Sequence, residues 1–247
     1  MTDDGFLDGR IQILQPRDGY RAATDPVFLA AAMRAKAGET VLEIGCGVGV
    51  ALACLLHREQ VIAKGLEIQQ DYAGLAQQNM LRNGLTAEIV QGDLTDMPAT
   101  FRAQSFDHVM MNPPFYQAAR HSAPKDHGKT TAFLEGEATL QDWITTGLRR
   151  LKPLGWFTII HRAERLNEIL AGLSKTGDIQ ILPLAPRCGQ AAKRVIVQAR
   201  KGAAGPLKLH APLVLHTGTV HTTDGDDFSQ PARAILRDGK ALVITGR

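Results

Sequence analysis

Cysteine is scarce in this chain: three in 247 residues (Cys46, Cys54 and Cys188), at none of the paired spacings of a disulfide framework or a zinc site. The histidines show no ligand spacing either, so no metal is expected. Long apolar runs are missing; the longest break off well before the ~20 residues a membrane-spanning helix needs. The first residues, Met1-Thr2-Asp3-Asp4, are acidic where a secretory signal would be basic and then apolar. There is no repeat, no low-complexity tract and no Gly-Lys-Ser/Thr of a phosphate-binding P-loop. Acidic residues are absent from 179–223, a stretch that carries Arg187, Lys193, Arg194, Arg200, Lys201 and Lys208. Such a stretch suits a surface that meets phosphates, or a solvated sheet edge kept from pairing by its lysines. What remains is a cytoplasmic globular protein without membrane contact, 44% apolar and 21% charged.

The net charge of +3 conceals an asymmetry. Residues 1–110 hold nine Lys/Arg against fourteen Asp/Glu, and residues 111–247 hold nineteen against eleven. The order of elements is more informative. Short β-rich runs at Val41–Gly45, Val61–Ile68, Ala87–Gln91, Phe106–Met111 and Trp156–His161 alternate with helical stretches at Val50–His57, Asp71–Asn83 and Leu140–Leu151. Alternation of this kind predicts an α/β fold, a buried parallel sheet with helices on both faces. After residue 175 the rhythm changes. Ile179–Pro183 and Val195–Ala199 have no helix between them and are expected to pair antiparallel. Leu207–His216 then reads as a further strand, and 224–247 as a polar loop with a short helix. The division expected is an N-terminal extension (1–36) and one domain (37–247). In the extension Asp18-Gly19 marks a turn, and Asp25-Pro26 opens a helix with Asp25 as its N-cap.

The run Glu43-Ile44-Gly45-Cys46-Gly47-Val48-Gly49 follows a strand and precedes a helix. Glycines there allow a sharp turn and let a ligand lie against the backbone. A dinucleotide fingerprint would want its third glycine or alanine one residue later, where Val50 stands. The next two strands end in Glu67, able to accept from both hydroxyls of a ribose, and in Asp93, able to accept from an adenine amino group. Ile68 offers an apolar face for the ring. Each acid also has a plain alternative as a helix N-cap. Three strand ends facing one crevice fit the ligand site of an open α/β sheet. Cys46 reads as a small packed side chain and His161 as structural.

This arrangement resembles the class I S-adenosylmethionine-dependent methyltransferases. The resemblance implies a Rossmann-like sheet of seven strands with the last one antiparallel. It also implies S-adenosylmethionine as cofactor: Glu43, Gly45, Cys46, Gly47 and Gly49 at the methionine part, Glu67 and Ile68 at the ribose and ring, Asp93 and Leu94 at the adenine. The fourth strand runs into Asn112-Pro113-Pro114-Phe115. This loop resembles the signature of enzymes that methylate adenine N6, guanine N2 or glutamine N5, with Asn112 also beside the cofactor. A conjugated amino group is a poor nucleophile. Two acceptors, the Asn112 side-chain oxygen and the Pro113 carbonyl, would hold its hydrogens and turn its lone pair toward the methyl group. Pro114 stiffens the loop, and Phe115 can stack on the acceptor for ~1–3 kcal/mol.

Gln15-Pro16-Arg17-Asp18-Gly19-Tyr20-Arg21, Thr24-Asp25, and Pro183-Leu184-Ala185-Pro186-Arg187 through Pro212-Leu213-Val214-Leu215 resemble bacterial tRNA(Val) adenine-N6 methyltransferases, which act near the anticodon. That likeness implies tRNA as partner and makes Tyr20, Thr24 and Asp25 candidate cofactor contacts. Arg120, Lys125, Lys129, Arg187, Lys193 and Arg194 are then expected to hold the phosphates flanking a flipped base.

Overall fold

A computed structural model describes residues 1–117, 134–135, 138–218 and 227–244. The chain opens with an antiparallel hairpin, β1 (Thr2–Phe6) and β2 (Ile11–Gln15). Its turn sits at Leu7–Gly9, where three successive residues take positive φ (51°, 57° and 80°). Asp18-Gly19 lies instead in the bend that follows, with Gly19 at φ 107°. Helix α1 (Asp25–Ala32) comes next, buried on nearly every residue.

The parallel core is β3 (Thr40–Ile44), α2 (Val50–Arg58), β4 (Ile62–Glu67), α3 (Gln70–Arg82), β5 (Ala87–Gln91), the short α4 (Ala99–Arg102) and β6 (Phe106–Met111). Further along the chain come α5 (Leu140–Arg150), β9 (Leu151–Arg162), α6 (Leu166–Gly172), β10 (Thr176–Ala185) and β11 (Arg194–Lys201). Two-residue strands β7 (Tyr116–Gln117) and β8 (Leu134–Glu135) pair with each other after β6. Short strands β12 (Lys208–Leu209) and β13 (Leu213–Val214) and helix α7 (Gln230–Leu236) complete the described chain.

The main sheet runs β12-β10-β11-β9-β6-β3-β4-β5, with β13 also on β10. The α/β fold with a mostly parallel sheet is as expected. β11 is antiparallel to both neighbours and is wedged between β9 and β10. Leu207–His216 forms two short parallel pairings along the β10 edge, in place of one strand. Helix α6 has no counterpart in the sequence reading; seven residues with two turns give too short a period to stand out. Strand β9 starts directly at the end of α5, five residues earlier than expected. Pro153 and Gly155 are absorbed where its register against β6 shifts, with Leu154 at φ 61°.

Two apolar clusters flank the sheet. One gathers α1, α2, α3, the hairpin and α7; the other gathers α5, α6 and the opposite face of β6, β9 and β11. The hairpin is tied to the core by Asn79 of α3, which is fully buried. Its side chain accepts from Leu14 N–H (2.8 Å) and donates to the carbonyls of Leu14 (3.0 Å) and Val48 (2.9 Å). One amide thus links hairpin, helix and glycine loop, and satisfies backbone groups that no ladder reaches.

Candidate active site

The carboxyl ends of β3, β4, β5 and β6 open onto a cavity of ≈ 240 Å³. Its floor is the glycine loop. Gly45, Gly47 and Gly49 all take positive φ (71°, 55° and 88°), which is why this turn favours glycine. They do different things. A Cβ on Gly45 would sit 2.5 Å from the Trp143 indole of α5, and one on Gly49 2.9 Å from Met80 of α3. Around Gly47 there is open space within 4 Å, and Gly47 lines the cavity. That bare backbone is a cradle for a ligand.

Two carboxylates are buried at the cavity wall. Glu67 accepts from the N–H groups of Gly47 and Gln69 (both 2.9 Å), which shapes the loop. Burial raises its pKa above the ordinary carboxyl value. Glu43 is only 3% exposed, and its Oε2 has no hydrogen-bond partner among the described residues. Burial pushes its pKa well up, reinforced by the charge of Glu67. An orphaned acceptor beside a second acid calls for a ligand that brings donors or positive charge. The cationic methionine end and the hydroxyls of S-adenosylmethionine meet that need, so the residues fit the cofactor.

Asp93 and Leu94 also line the cavity, as does Ile68, which is half exposed. Neither strand-end acid, Glu67 or Asp93, caps a helix: the N-cap positions of α3 and α4 are Gln69 and Pro98. Asp93 accepts from the Thr95 N–H (2.7 Å) and hydroxyl (2.8 Å) through Oδ1. Cys46 faces the cavity with its sulfur packed against Gly65, and burial beside two carboxylates drives its thiol pKa well up. That suits packing and not nucleophilic chemistry.

The N-terminal segment forms another wall through Tyr20, Ala22 and Pro26. Tyr72 of α3 pins it, its hydroxyl accepting from Tyr20 N–H at 3.0 Å. Thr24, Asp25 and Gly49 are not among the lining residues. Asp25 is not the N-cap of α1: Thr24 holds that position, without a side-chain capping bond. Asp25 is the first helical residue and its carboxylate pairs with Arg194 at 2.8 Å.

Asn112, Pro113, Pro114 and Phe115 line the mouth. The Asn112 Oδ1 is buried and lacks a partner among the described residues. Sequence reasoning missed what surrounds this loop. His161, at the end of β9, lies 3.1 Å from the Pro114 carbonyl and meets the Phe115 ring at 5.5 Å and 81°. The Arg194 guanidinium sits 4.6 Å over the same ring. Trp143 was not singled out either; a lone Trp on an amphipathic helix carries no signal beyond core packing.

Of the six basic residues expected to meet phosphates, Arg120, Lys125 and Lys129 lie outside the described residues. Lys193 is exposed and directly precedes Arg194, whose guanidinium covers Phe115. Arg187 requires correction as an open phosphate contact: it is 8% exposed and bound to Asp227 and the Thr217 carbonyl. Asp227 lies beyond the acid-free stretch, so local charge counting did not reveal the pairing.

The strand order, the glycine turn and the crevice at the strand ends define a class I S-adenosylmethionine-dependent methyltransferase. The methyltransferase small domain family matches residues 23–170, and the chain belongs to that family. It is similar to the tRNA1(Val) (adenine(37)-N6)-methyltransferase of Shewanella baltica, 29% identical over 188 residues, 72% of this chain and 76% of that one. It is 23% identical over 207 residues to the protein of the same name from Aeromonas salmonicida, covering 81% and 85%. Among solved structures, a predicted O-methyltransferase from Agrobacterium tumefaciens shares the fold with a TM-score of 0.70 and 23% identity, over 89% of this chain and 98% of that one. S-Adenosylmethionine is accordingly its cofactor.

Proposed function

We propose that this methyltransferase acts on the exocyclic N6 of an adenine in tRNA. The names of its relatives make adenine 37 of tRNA1(Val) the first substrate to try. The observation that carries the reading is the Asn112 Oδ1, a buried acceptor without a donor among the described residues, set beside Phe115 at the cavity mouth. An amino group on an aromatic ring supplies that donor.

Bound S-adenosylmethionine supplies an electrophilic methyl group. The chain's own residues do the rest by binding and orientation. Glu43 takes donors from the methionine part, Glu67 accepts from the ribose, and Ile68, Asp93 and Leu94 surround the adenine. Asn112 Oδ1 and the Pro113 carbonyl accept the two amino N–H groups and direct the lone pair inward, while Phe115 stacks on the base. Positioned acceptors of this kind contribute without a strong base. Lys193 holds a neighbouring phosphate.

The test is methyl transfer from labelled cofactor to unmodified total tRNA, followed by nucleoside analysis. Wild type should form N6-methyladenosine, and Asn112→Ala should lose about 100- to 1,000-fold in kcat. Product found as N2-methylguanine in ribosomal RNA, or as N5-methylglutamine, would replace the adenine reading.

A further inference from the structure

We propose that His161 is a positioning residue for the acceptor loop, holding it by donating to the Pro114 carbonyl. This rests on the reading that Asn112–Phe115 presents the acceptor. The loop has an anchoring problem set by its own sequence. Two consecutive prolines remove two backbone N–H donors, so residues 113 and 114 cannot be tied down by donating to neighbours. Whatever holds them must donate to their carbonyls. The adjacent strand provides such a donor. β6 and β9 stay paired up to Met111 and Ile159, and two residues further along β9 stands His161, fully buried.

Its tautomer follows from geometry. The Arg162 N–H can only donate, and it points at His161 Nδ1 at 2.8 Å. In the neutral ring the single proton is then on Nε2, from which it is donated to the Pro114 oxygen at 3.1 Å. The ring also packs edge-to-face with Phe115, one face of which is covered by Arg194. Among the described residues, the charged groups around the imidazole are Arg165, just before α6 and paired with Glu168, and Arg194 of β11, paired with Asp25 of α1. Burial, reinforced by these two cations, lowers the His161 pKa to about 4. The N–H donor is therefore present, and the ring uncharged, at any neutral working pH.

Two variants separate the donor from the ring. His161→Phe keeps an aromatic edge and removes the N–H; His161→Gln keeps a donor near Nε2 and removes the ring. The expected result is a fall in kcat of about ten- to a hundredfold in His161→Phe, cofactor Kd within about twofold, and recovery of most of kcat in His161→Gln. The opposite order, with Phe active and Gln impaired, would overturn the proposal and leave His161 as packing. Nitrogen-15 shifts of the wild-type imidazole provide a measurement that needs no variant to fold. They should show the neutral Nε2–H form persisting below pH 5; an Nδ1–H form, or a midpoint near 6.5, would overturn it. If wild type methylates no adenine in tRNA, the functional reading falls, while the tautomer measurement still decides this proposal.

Discussion

The two ends of the cavity are built by different means. The cofactor end is mostly backbone, with three positive-φ glycines in one turn and N–H groups closed onto Glu67. The acceptor end is held by side chains from distant elements: His161 of β9, Arg194 of β11 and Asp25 of α1 meet around Phe115. Their responses to pH are opposite as well. Glu43 and Glu67 have raised pKa values, so the native state keeps protons that the unfolded chain gives up. Their contribution is greatest below the ordinary carboxyl pKa and is lost as pH rises. His161 is depressed to about 4, so the unfolded chain binds the extra proton between pH 4 and about 6.5. Its contribution is full above that window and lost as pH falls through it. A site whose halves carry opposite slopes is one whose ligand, not its resting stability, explains the buried acids.

The strongest way to break this contrast is at Gly45. In Gly45→Val, a branched side chain at φ 71° collides with Trp143. Stability should fall by ~2–4 kcal/mol and cofactor affinity by more than about tenfold, read by thermal melting and calorimetric titration. An unaffected Kd would mean that the turn does not shape the cofactor end. Next comes Glu43→Gln, which removes the buried titratable carboxyl. The ligand-free protein should gain ~1–3 kcal/mol at pH 8 and lose much of its decline in stability with rising pH, while binding cofactor more weakly. Denaturant midpoints across pH 5–9 measure this, and an unchanged slope would place the effect elsewhere. The smallest effect belongs to the exposed acceptor edge. Lys193→Ala should weaken tRNA binding a fewfold and reduce the salt slope by about one, measured by filter binding at several salt concentrations. The same slope in both proteins would remove Lys193 from the RNA path.

The same contrast explains what the sequence made legible. Gly45, Gly47 and Gly49 sit close together in the chain, so their spacing exposes the turn, and the acids at the ends of β4 and β5 follow from element order. Asn112–Phe115 is equally local. The partners of that loop are not: His161 lies 47 residues from Pro114, and Arg194 lies 169 from Asp25. Asp25 looked like a helix cap because its local sequence is that of one, and the tertiary pairing with Arg194 prevailed. Asn79 gave no signal because its partners are backbone groups, which any sequence supplies.

The reversal of β11 has a consequence for how such a site can change over time. Because this strand runs against its neighbours, it begins where they end, and the segment 186–193 ahead of it arrives at the acceptor mouth. In a wholly parallel sheet the chain after β10 would have had to cross to the opposite end of the sheet before the next strand could begin. Insertions or exchanges there alter the approach to the acceptor while leaving every residue of the glycine turn in place. The fold thus keeps its methyl-donor chemistry fixed and offers a separate stretch of chain on which recognition of new acceptors can be tried.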